Sequence, residues 1–209
     1  MSLYGFFVLR FCKDDFFMKN IVSDKEENFM QEKTLLLDDI AVERAIKRIS
    51  HEIVEKNKGV DDLVLLGIVR RGVPFSQKIA ENVQSFEGKH IPCGKVDISF
   101  YRDDVRKIAP APVLKGCEVP CDVEGKNVIL CDDVLYTGRT ARAAMEAVLA
   151  IGRPKTIQLA VLIDRGHREL PIRADFVGKN IPTGKTEIVK VSFPSIDGCQ
   201  DVKLFETDC

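Results

Sequence analysis

Features typical of membrane-spanning, disulfide-bonded and zinc-binding proteins are missing from this chain of 209 residues. No apolar run approaches the ~20 residues that a helix needs to cross a bilayer. The seven cysteines form no Cys-x-x-Cys pair, and the three histidines do not stand beside them at the spacing of zinc ligands. We therefore expect a protein of the cytoplasm with reduced cysteines and no membrane partner.

The chain also lacks an excess of charge of either sign. Its 31 Lys and Arg residues against 32 Asp and Glu residues give a formal net charge of −1. Such a balance argues against a protein that wraps nucleic acid over its whole surface, although it leaves room for a local basic patch. With 45% hydrophobic and 30% charged residues, the chain has the composition of a soluble α/β domain with a buried core.

The first 29 residues lack the patterning of a folded core. Residues 3–9 are apolar, but Arg10 follows them and no small-residue cleavage site is present, which argues against a signal peptide. Charged residues dominate the segment 23–28. We expect residues 1–29 to form a disordered extension and residues 30–209 to form one domain.

Helical and strand-like segments alternate in the rest of the chain. Apolar residues at helical spacing predict a helix from about Asp39 to Asn57, and further helices are expected at about residues 74–83 and 139–151. Strands are predicted at residues 63–68, 96–100, 128–131, 157–163 and 187–193, the last of the chain. Residues 103–121, rich in proline and charge, predict a long loop. The alternation predicts a doubly wound, mostly parallel sheet whose ligand lies at the carboxyl ends of the strands.

Two adjacent carboxylates follow one of the buried strands. Residues 128–140 are VILCDDVLYTGRT, so Asp132 and Asp133 precede a turn at Thr137-Gly138 that opens a helix. The first N–H groups of a helix bind phosphate, and carboxylates accept hydrogen bonds from a diol, so the motif predicts a sugar-phosphate site. The Gly-x-x-x-x-Gly-Lys-Ser/Thr pattern of a P-loop is missing. Taken without its neighbours, the Asp-Asp pair is also typical of a solvated turn.

This motif resembles the 5-phosphoribosyl-1-diphosphate signature of the type I phosphoribosyltransferases. Further segments carry the resemblance: Arg70-Arg71-Gly72, residues 99–104 (SFYRDD) and residues 164–182 (DRGHRELPIRADFVGKNIP). The likeness covers about residues 35–203. Within the family it is strongest to regulators of bacterial pyrimidine operons that also act as uracil phosphoribosyltransferases. The expected fold is therefore the family's mostly parallel sheet with a small hood at about residues 164–182.

The resemblance implies a function for each segment. Asp132 and Asp133 would hold the ribose hydroxyls of the donor, and Arg70, Arg71 and Gly72 its diphosphate. The 5-phosphate would be held by Val134, Leu135, Tyr136, Thr137, Gly138, Arg139 and Thr140. The hood would cover the base through Asp164, Arg165, Val177, Gly178 and Lys179. Purine-specific relatives commonly carry an aromatic residue at the position of Lys179, so lysine there favours a pyrimidine.

Displacement of diphosphate from ribose develops charge on both groups, so the site needs orientation and charge stabilisation. The candidates for the catalytic charges are Arg70, Arg71 and, from a flexible lid, Arg102. Mg²⁺ is the expected cofactor, bound mainly through the substrate. Taken alone, Arg70-Arg71 is as typical of an exposed surface pair, and the sequence offers no clear general base.

A basic face on the first predicted helix points to RNA. Lys47, Arg48 and His51 lie opposite its apolar side. The resemblance implies RNA contacts at Lys47, Arg48, His51, Lys56, His167, Arg168 and Arg173. A mixed Arg/His surface suits the loops and bulges that specific RNA recognition targets. An ordinary solvated helix face remains the alternative.

Three functions are thus compatible with the sequence. The first is a bifunctional protein that converts uracil and 5-phosphoribosyl-1-diphosphate to UMP and also binds pyrimidine-operon leader mRNA in a uridine-nucleotide-dependent way. The second is an enzyme only, for another base such as hypoxanthine or orotate. The third is a nucleotide-sensing RNA-binding regulator with little catalysis. We prefer the first and also expect a homo-oligomer.

Overall fold

The structure, a computed structural model, describes residues 30–98 and 117–207. The predicted extension at residues 1–29, most of the predicted long loop and Arg102 lie outside the described residues. The strands are β1 (Met30–Leu37), β2 (Leu63–Ile68), β3 (Cys93–Val96), β4 (Cys117–Glu118), β5 (Asn127–Leu135), β6 (Thr156–Asp164), β7 (Phe176–Asn180), β8 (Glu187–Ser192) and β9 (Asp201–Thr207). The helices are α1 (Asp39–Asn57), α2 (Gly72–Glu87), α3 (Arg139–Ile151) and α4 (Pro194–Asp197).

The main sheet has six strands in the order β4-β3-β2-β5-β6-β7. All neighbours pair in parallel except β3 and β4. Every residue of β2 is buried because alternate side chains enter two different clusters. Leu63 and Leu65 pack with residues of α1 and α2, whereas Val64 and Leu66 pack with residues of α3. Helices therefore cover both faces, which confirms the predicted doubly wound sheet.

Helix α1 has the predicted bounds. Asp38 caps its first turn by accepting a hydrogen bond of 2.8 Å from the backbone N–H of Ala41. The helix ends at Lys58, which adopts the left-handed conformation. The apolar residues that predicted the helix, Val42, Ile46, Ile49 and Ile53, are all fully buried. The opposite face is consequently free to carry charge.

A second, antiparallel sheet lies beside the main one, in the order β1-β9-β8. The prediction that residues 187–193 form the last strand is wrong, because β9 follows and pairs along the whole of β8. Strand β7 was also missed. It lies inside the segment 164–182, which looks polar and turn-rich in sequence, and it forms the edge of the main sheet beside β6. The sequence therefore did not predict that β1, at the start of the described residues, pairs with β9 at their end.

None of the helices in residues 30–98 and 117–207 combines the length and the apolar character of a transmembrane span.

Candidate functional site

A cavity of about 500 Å³ opens at the carboxyl ends of β2 and β5. We refer to it below as the cleft. Its lining comprises Val69, Arg70, Arg71, Asp97, Ile98, Asp132, Asp133, Val134 and Thr140. The segments that sequence analysis singled out after two different strands therefore meet at one edge of the sheet, as parallel strands require.

Asp132 and Asp133 lie within the last residues of β5 rather than after it. Only 9% of Asp132 is exposed, and its Oδ1 accepts a hydrogen bond of 3.0 Å from the backbone N–H of Asp133. Burial, and then the charge of Asp133, raises the pKa of Asp132 well above its usual value. Burial also raises the pKa of Asp133, although Asp132 and Arg71 oppose this shift. Two carboxylates held in so unfavourable a setting are typical of a functional site.

The turn between β5 and α3 leaves the N-terminus of the helix open. Gly138 precedes α3 with a φ of 91° and has no side chain that could cap the helix, while the backbone N–H of Arg139 donates to Thr137 Oγ1 at 3.4 Å. The backbone oxygen of Thr137 accepts hydrogen bonds from the N–H groups of Glu169 (3.0 Å) and Leu170 (3.1 Å), which fixes the turn against the segment after β6. Thr140, in the first turn of α3, is exposed and lines the cleft. The arrangement offers N–H and hydroxyl donors to an anion.

The loop between β2 and α2 carries Arg70, Arg71 and Gly72. Arg70 is exposed, whereas Arg71 is half-buried and pairs with Asp197 of α4 through two hydrogen bonds, of 2.8 and 3.3 Å. A Cβ atom on Gly72 would lie 2.2 Å from the backbone oxygen of Cys131, so only glycine lets α2 begin this close to β5. Sequence reasoning missed Asp197, which is distant in the chain and belongs to no motif.

The predicted base-binding residues divide between two positions. Arg165 is buried and joins the two sheets by donating to the backbone oxygen of Glu187 at 2.6 Å, and its guanidinium lies 4.0 Å from the ring centroid of Tyr136. Val177, Gly178 and Lys179 lie in the edge strand β7. The Lys179 ammonium is 3.4 Å from the backbone oxygen of Leu36 in β1.

The seven predicted RNA-binding residues, which we call the basic surface, are Lys47, Arg48, His51, Lys56, His167, Arg168 and Arg173. Arg48 is already bound within the protein. Its guanidinium donates to the backbone oxygens of Val177 (3.1 Å) and Gly178 (2.6 Å) and pairs with Glu52 at 2.6 Å. Arg168 is more extensively bound. Its acceptors are the backbone oxygens of Leu135, Tyr136, Gly166 and Ile172 and the carboxylate of Asp164.

Other residues of the basic surface are accessible to a ligand. Lys47 and Arg173 are exposed and have no hydrogen-bond or ion-pair partner within the part of the chain that the structure describes. The exposed His51 ring stacks on Phe86, with ring centroids 4.0 Å apart. Lys56 pairs with Asp175 at 2.5 Å. His167 is exposed, with its Nε2 atom 2.6 Å from the backbone oxygen of Thr183.

Comparison with known proteins identifies close relatives. The family described as "Phosphoribosyl transferase domain" matches residues 20–195. A protein of Clostridium novyi (strain NT) named "Bifunctional protein PyrR" is 58% identical over 177 residues, which are 85% of this chain and 99% of the relative. A protein of the same name from Clostridioides difficile (strain 630) is 56% identical and matches over 85% of this chain and its own full length.

Solved structures share the fold at lower identity. The hypoxanthine phosphoribosyltransferase of Trypanosoma cruzi matches with a TM-score of 0.65 and 19% identity, covering 85% of this chain and 98% of its own. The corresponding protein of Staphylococcus aureus matches with a TM-score of 0.62 and 20% identity, covering 85% and 94%. These matches show the type I phosphoribosyltransferase fold and carry no information on the base that this chain uses.

Proposed function

Because the chain belongs to the phosphoribosyltransferase family and, within it, to the PyrR proteins, we propose that it is a bifunctional regulator of pyrimidine biosynthesis. It converts uracil and 5-phosphoribosyl-1-diphosphate to UMP and diphosphate. It also binds pyrimidine-operon leader mRNA in the cytoplasm, in response to uridine nucleotides. The observation that carries the enzymatic part is the cleft, where a buried and a half-buried carboxylate, two arginines and the N-terminus of α3 meet.

The donor is held from both ends of its ribose. Asp132 and Asp133 accept hydrogen bonds from the ribose hydroxyls, and the N–H groups at the start of α3, with Thr140, bind the 5-phosphate. Because the carboxylates and the donors at the start of α3 are separated along the motif, they suit a ligand with both hydroxyls and a phosphate better than a lone anion. Their position at the end of β5 and the start of α3 would place the anomeric carbon within the cleft.

Charge stabilisation falls to the arginines. Arg70 and Arg71 line the cleft from the loop after β2, where the leaving diphosphate would lie, and Arg102 would approach from the lid. Mg²⁺, when bound, neutralises the leaving group. Among the described residues no group of three or more His, Cys, Asp or Glu side chains could hold a metal ion. Asp132 and Asp133 can supply at most part of a coordination shell, which fits a Mg²⁺ ion held mainly by substrate oxygens.

The base lies under the hood. Lys179 in β7 offers a flexible cation rather than an aromatic surface, which supports a pyrimidine such as uracil. Arg165 is buried under Tyr136 and hydrogen-bonded to the second sheet, so its contribution is to fix the hood. Val177 and Gly178 would lie beside the base in the edge strand β7, where the backbone oxygens of both accept hydrogen bonds from Arg48.

The RNA function rests on the basic surface. Lys47, His51 and Arg173 are exposed and can donate to phosphate or base edges. Arg48 links this surface to the base site, because its guanidinium binds the backbone oxygens of Val177 and Gly178. A nucleotide that shifts β7 would therefore move the face of α1 that carries Lys47, which offers a physical route for nucleotide-dependent RNA binding.

One paired experiment tests the proposal. Turnover of uracil with 5-phosphoribosyl-1-diphosphate is measured beside hypoxanthine and orotate, and a gel shift with pyrimidine-operon leader RNA is run with and without UMP. Of the three bases, we expect only uracil to be converted. We also expect UMP to strengthen RNA binding. Turnover of another base without an RNA shift would leave an enzyme only, whereas a UMP-dependent shift without turnover would leave a regulator only.

A further inference from the structure

The connection between β8 and β9 supplies a carboxylate to the wall of the cleft. We propose that Asp197 is a positioning residue for Arg71, holding its guanidinium so that the unpaired edge faces the diphosphate of the donor. The inference rests on the proposed phosphoribosyl transfer and adds to it a residue from outside the main sheet.

The geometry of the pair is bidentate. Arg71 Nη2 lies 2.8 Å from Asp197 Oδ1, and Arg71 Nε lies 3.3 Å from Asp197 Oδ2. The two side chains are 30% and 16% exposed, so the pair is shielded from solvent more than most surface ion pairs. A two-point contact in this setting fixes both the position and the plane of the guanidinium.

The pairing leaves one edge of the guanidinium free. It uses Nε and Nη2, while Nη1 has no hydrogen-bond partner in residues 30–98 and 117–207. Arg71 also lines the cleft beside Asp133, whose pKa is raised by burial and lowered in part by the charge of Arg71. Asp197 therefore holds one edge of the Arg71 guanidinium, and the N–H donors of Nη1 on the other edge remain available to a ligand in the cleft.

Asp197 is itself held in place. Its Oδ2 accepts a second hydrogen bond, of 3.1 Å, from the backbone N–H of Phe193. Phe193 is 1% exposed and anchors the end of β8 in the core. A long arginine side chain loses much rotational freedom when it binds a ligand, and an anchored partner removes that freedom beforehand. The structure thus preorganises a cation in the diphosphate loop from the second sheet.

A purely structural ion pair makes a different prediction. If Asp197 served only to join the second sheet to the main domain, its loss would weaken all ligands alike or none. If it positions Arg71, the loss is confined to ligands that contain the diphosphate. UMP has the ribose 5-phosphate and the base but no diphosphate, so it separates the two explanations.

The test is titration calorimetry of Asp197→Asn, which keeps the shape of the side chain and removes its charge. In the presence of Mg²⁺ we expect diphosphate to bind roughly ten-fold more weakly, the effect of one lost charge-assisted hydrogen bond, and UMP to bind as in the wild type. In steady-state kinetics the KM for the donor should rise while the KM for uracil stays unchanged. Equal affinity of variant and wild type for diphosphate, or a parallel loss for both ligands, would overturn the proposal.

Two controls complete the experiment. Glu32→Gln breaks the 3.0 Å pair with Lys203 in the same second sheet, far from the cleft, and should bind both ligands normally. Arg71→Lys keeps the charge but cannot pair at two points, so it should show the same selective loss as Asp197→Asn. If Asp197→Asn does not fold, Arg71→Lys decides: normal diphosphate binding by that variant overturns the proposal. A wild-type protein that binds neither ligand would instead refute the proposed function.

Discussion

In the cleft, the buried Asp132 and the half-buried Asp133 lie next to each other, and Arg70 and Arg71 line the same cavity. On the basic surface, Arg168 and Arg48 are bound by backbone oxygens of neighbouring segments, while Lys47 and Arg173 point into solvent without a partner among the described residues. The two regions therefore place charge in opposite ways. The cleft holds two neighbouring carboxylates whose unfavourable charge a ligand can relieve. The basic surface combines arginines that are hydrogen-bonded within the protein with exposed cations that can bind a partner.

This difference matters for assigning function to a charged residue. The type of a charged residue and its position on a helix face predict that its side chain is exposed. They do not predict which acceptors the side chain binds. Arg168 and Arg173 are five positions apart in one segment, yet only Arg168 is engaged by the fold.

The largest effect is expected in the cleft. Asp132→Asn combined with Asp133→Asn should weaken binding of 5-phosphoribosyl-1-diphosphate on the order of 100-fold, because two hydrogen bonds to charged acceptors are lost. Titration calorimetry measures the affinity. The matched control is Asp61→Asn with Asp62→Asn, an adjacent but exposed pair that pairs with Lys89 and Lys126 before β2. A double cleft variant with the affinity of the wild type would refute the assignment.

The same variant should be more stable than the wild type at neutral pH. The folded state raises the pKa of Asp132, so between the unfolded and folded pKa values the native protein holds more protons than the unfolded chain. Its free energy of unfolding therefore falls as pH rises through that window. Removing the carboxylates abolishes this loss, and the advantage of the variant should vanish on acidification. Thermal unfolding across a pH series measures it, and a variant less stable than the wild type at pH 7 would contradict the argument.

The second effect tests the part of the basic surface that the fold uses. Arg168→Ala removes donors to four backbone oxygens and the partner of Asp164, so we expect a loss of about 2–3 kcal/mol in the free energy of unfolding. Because two of those oxygens belong to Leu135 and Tyr136 beside the 5-phosphate turn, turnover should fall together with RNA binding. Arg173→Ala is the control and should change stability by no more than about 0.5 kcal/mol. Urea denaturation distinguishes the two.

The sequence predicts the central strands of the main sheet well, but it misses the edge strand β7 and, in the second sheet, β1 and β9, for a physical reason. The bounds of α1, β2 and α3 agree with the structure because each buries a periodic apolar set. In β1, residues 31–35 are exposed, so the strand exists through its pairing with β9 and leaves no pattern of its own. Strand β9 has a signal that was overlooked, since the buried Val202 and Leu204 alternate with less buried neighbours.

The candidate site shows the same limit. Asp132, Asp133 and Thr140 meet Arg70 and Arg71 in the cleft because a motif and a strand end place them there. The partners of Arg48 and Arg168 are backbone oxygens, which every residue has and no sequence pattern marks. Asp197 approaches Arg71 only because α4 folds back from the second sheet. Contacts of this kind depend on tertiary structure alone.

The third effect tests the free part of the basic surface. Lys47→Ala combined with Arg173→Ala should weaken leader-RNA binding by roughly ten-fold or more, and its dependence on salt should become shallower because fewer counterions are released. Uracil turnover should be unchanged, since neither side chain reaches the cleft. The matched control is Arg153→Ala with Lys155→Ala, two exposed cations in the connection between α3 and β6. A filter-binding series over salt concentration measures both slopes, and equal losses in the two double variants would show only a general electrostatic effect.

The smallest effect is expected at Lys56, a cation that is exposed to solvent and also paired within the protein. Lys56 is exposed like Lys47, but its ammonium pairs with Asp175 at 2.5 Å and lies 5.1 Å from the ring centroid of Phe176. RNA would have to compete with Asp175 for this cation, so Lys56→Ala should weaken RNA binding less than Lys47→Ala, and by only a few-fold. Because the pair is partly exposed, the stability loss should stay below about 1 kcal/mol. Lys56→Ala with Asp175→Asn restores the charge balance and should bind RNA as tightly as Lys56→Ala or better. If Lys56→Ala instead lost more affinity for RNA than Lys47→Ala, an ion pair within the protein would not indicate which cations the RNA contacts.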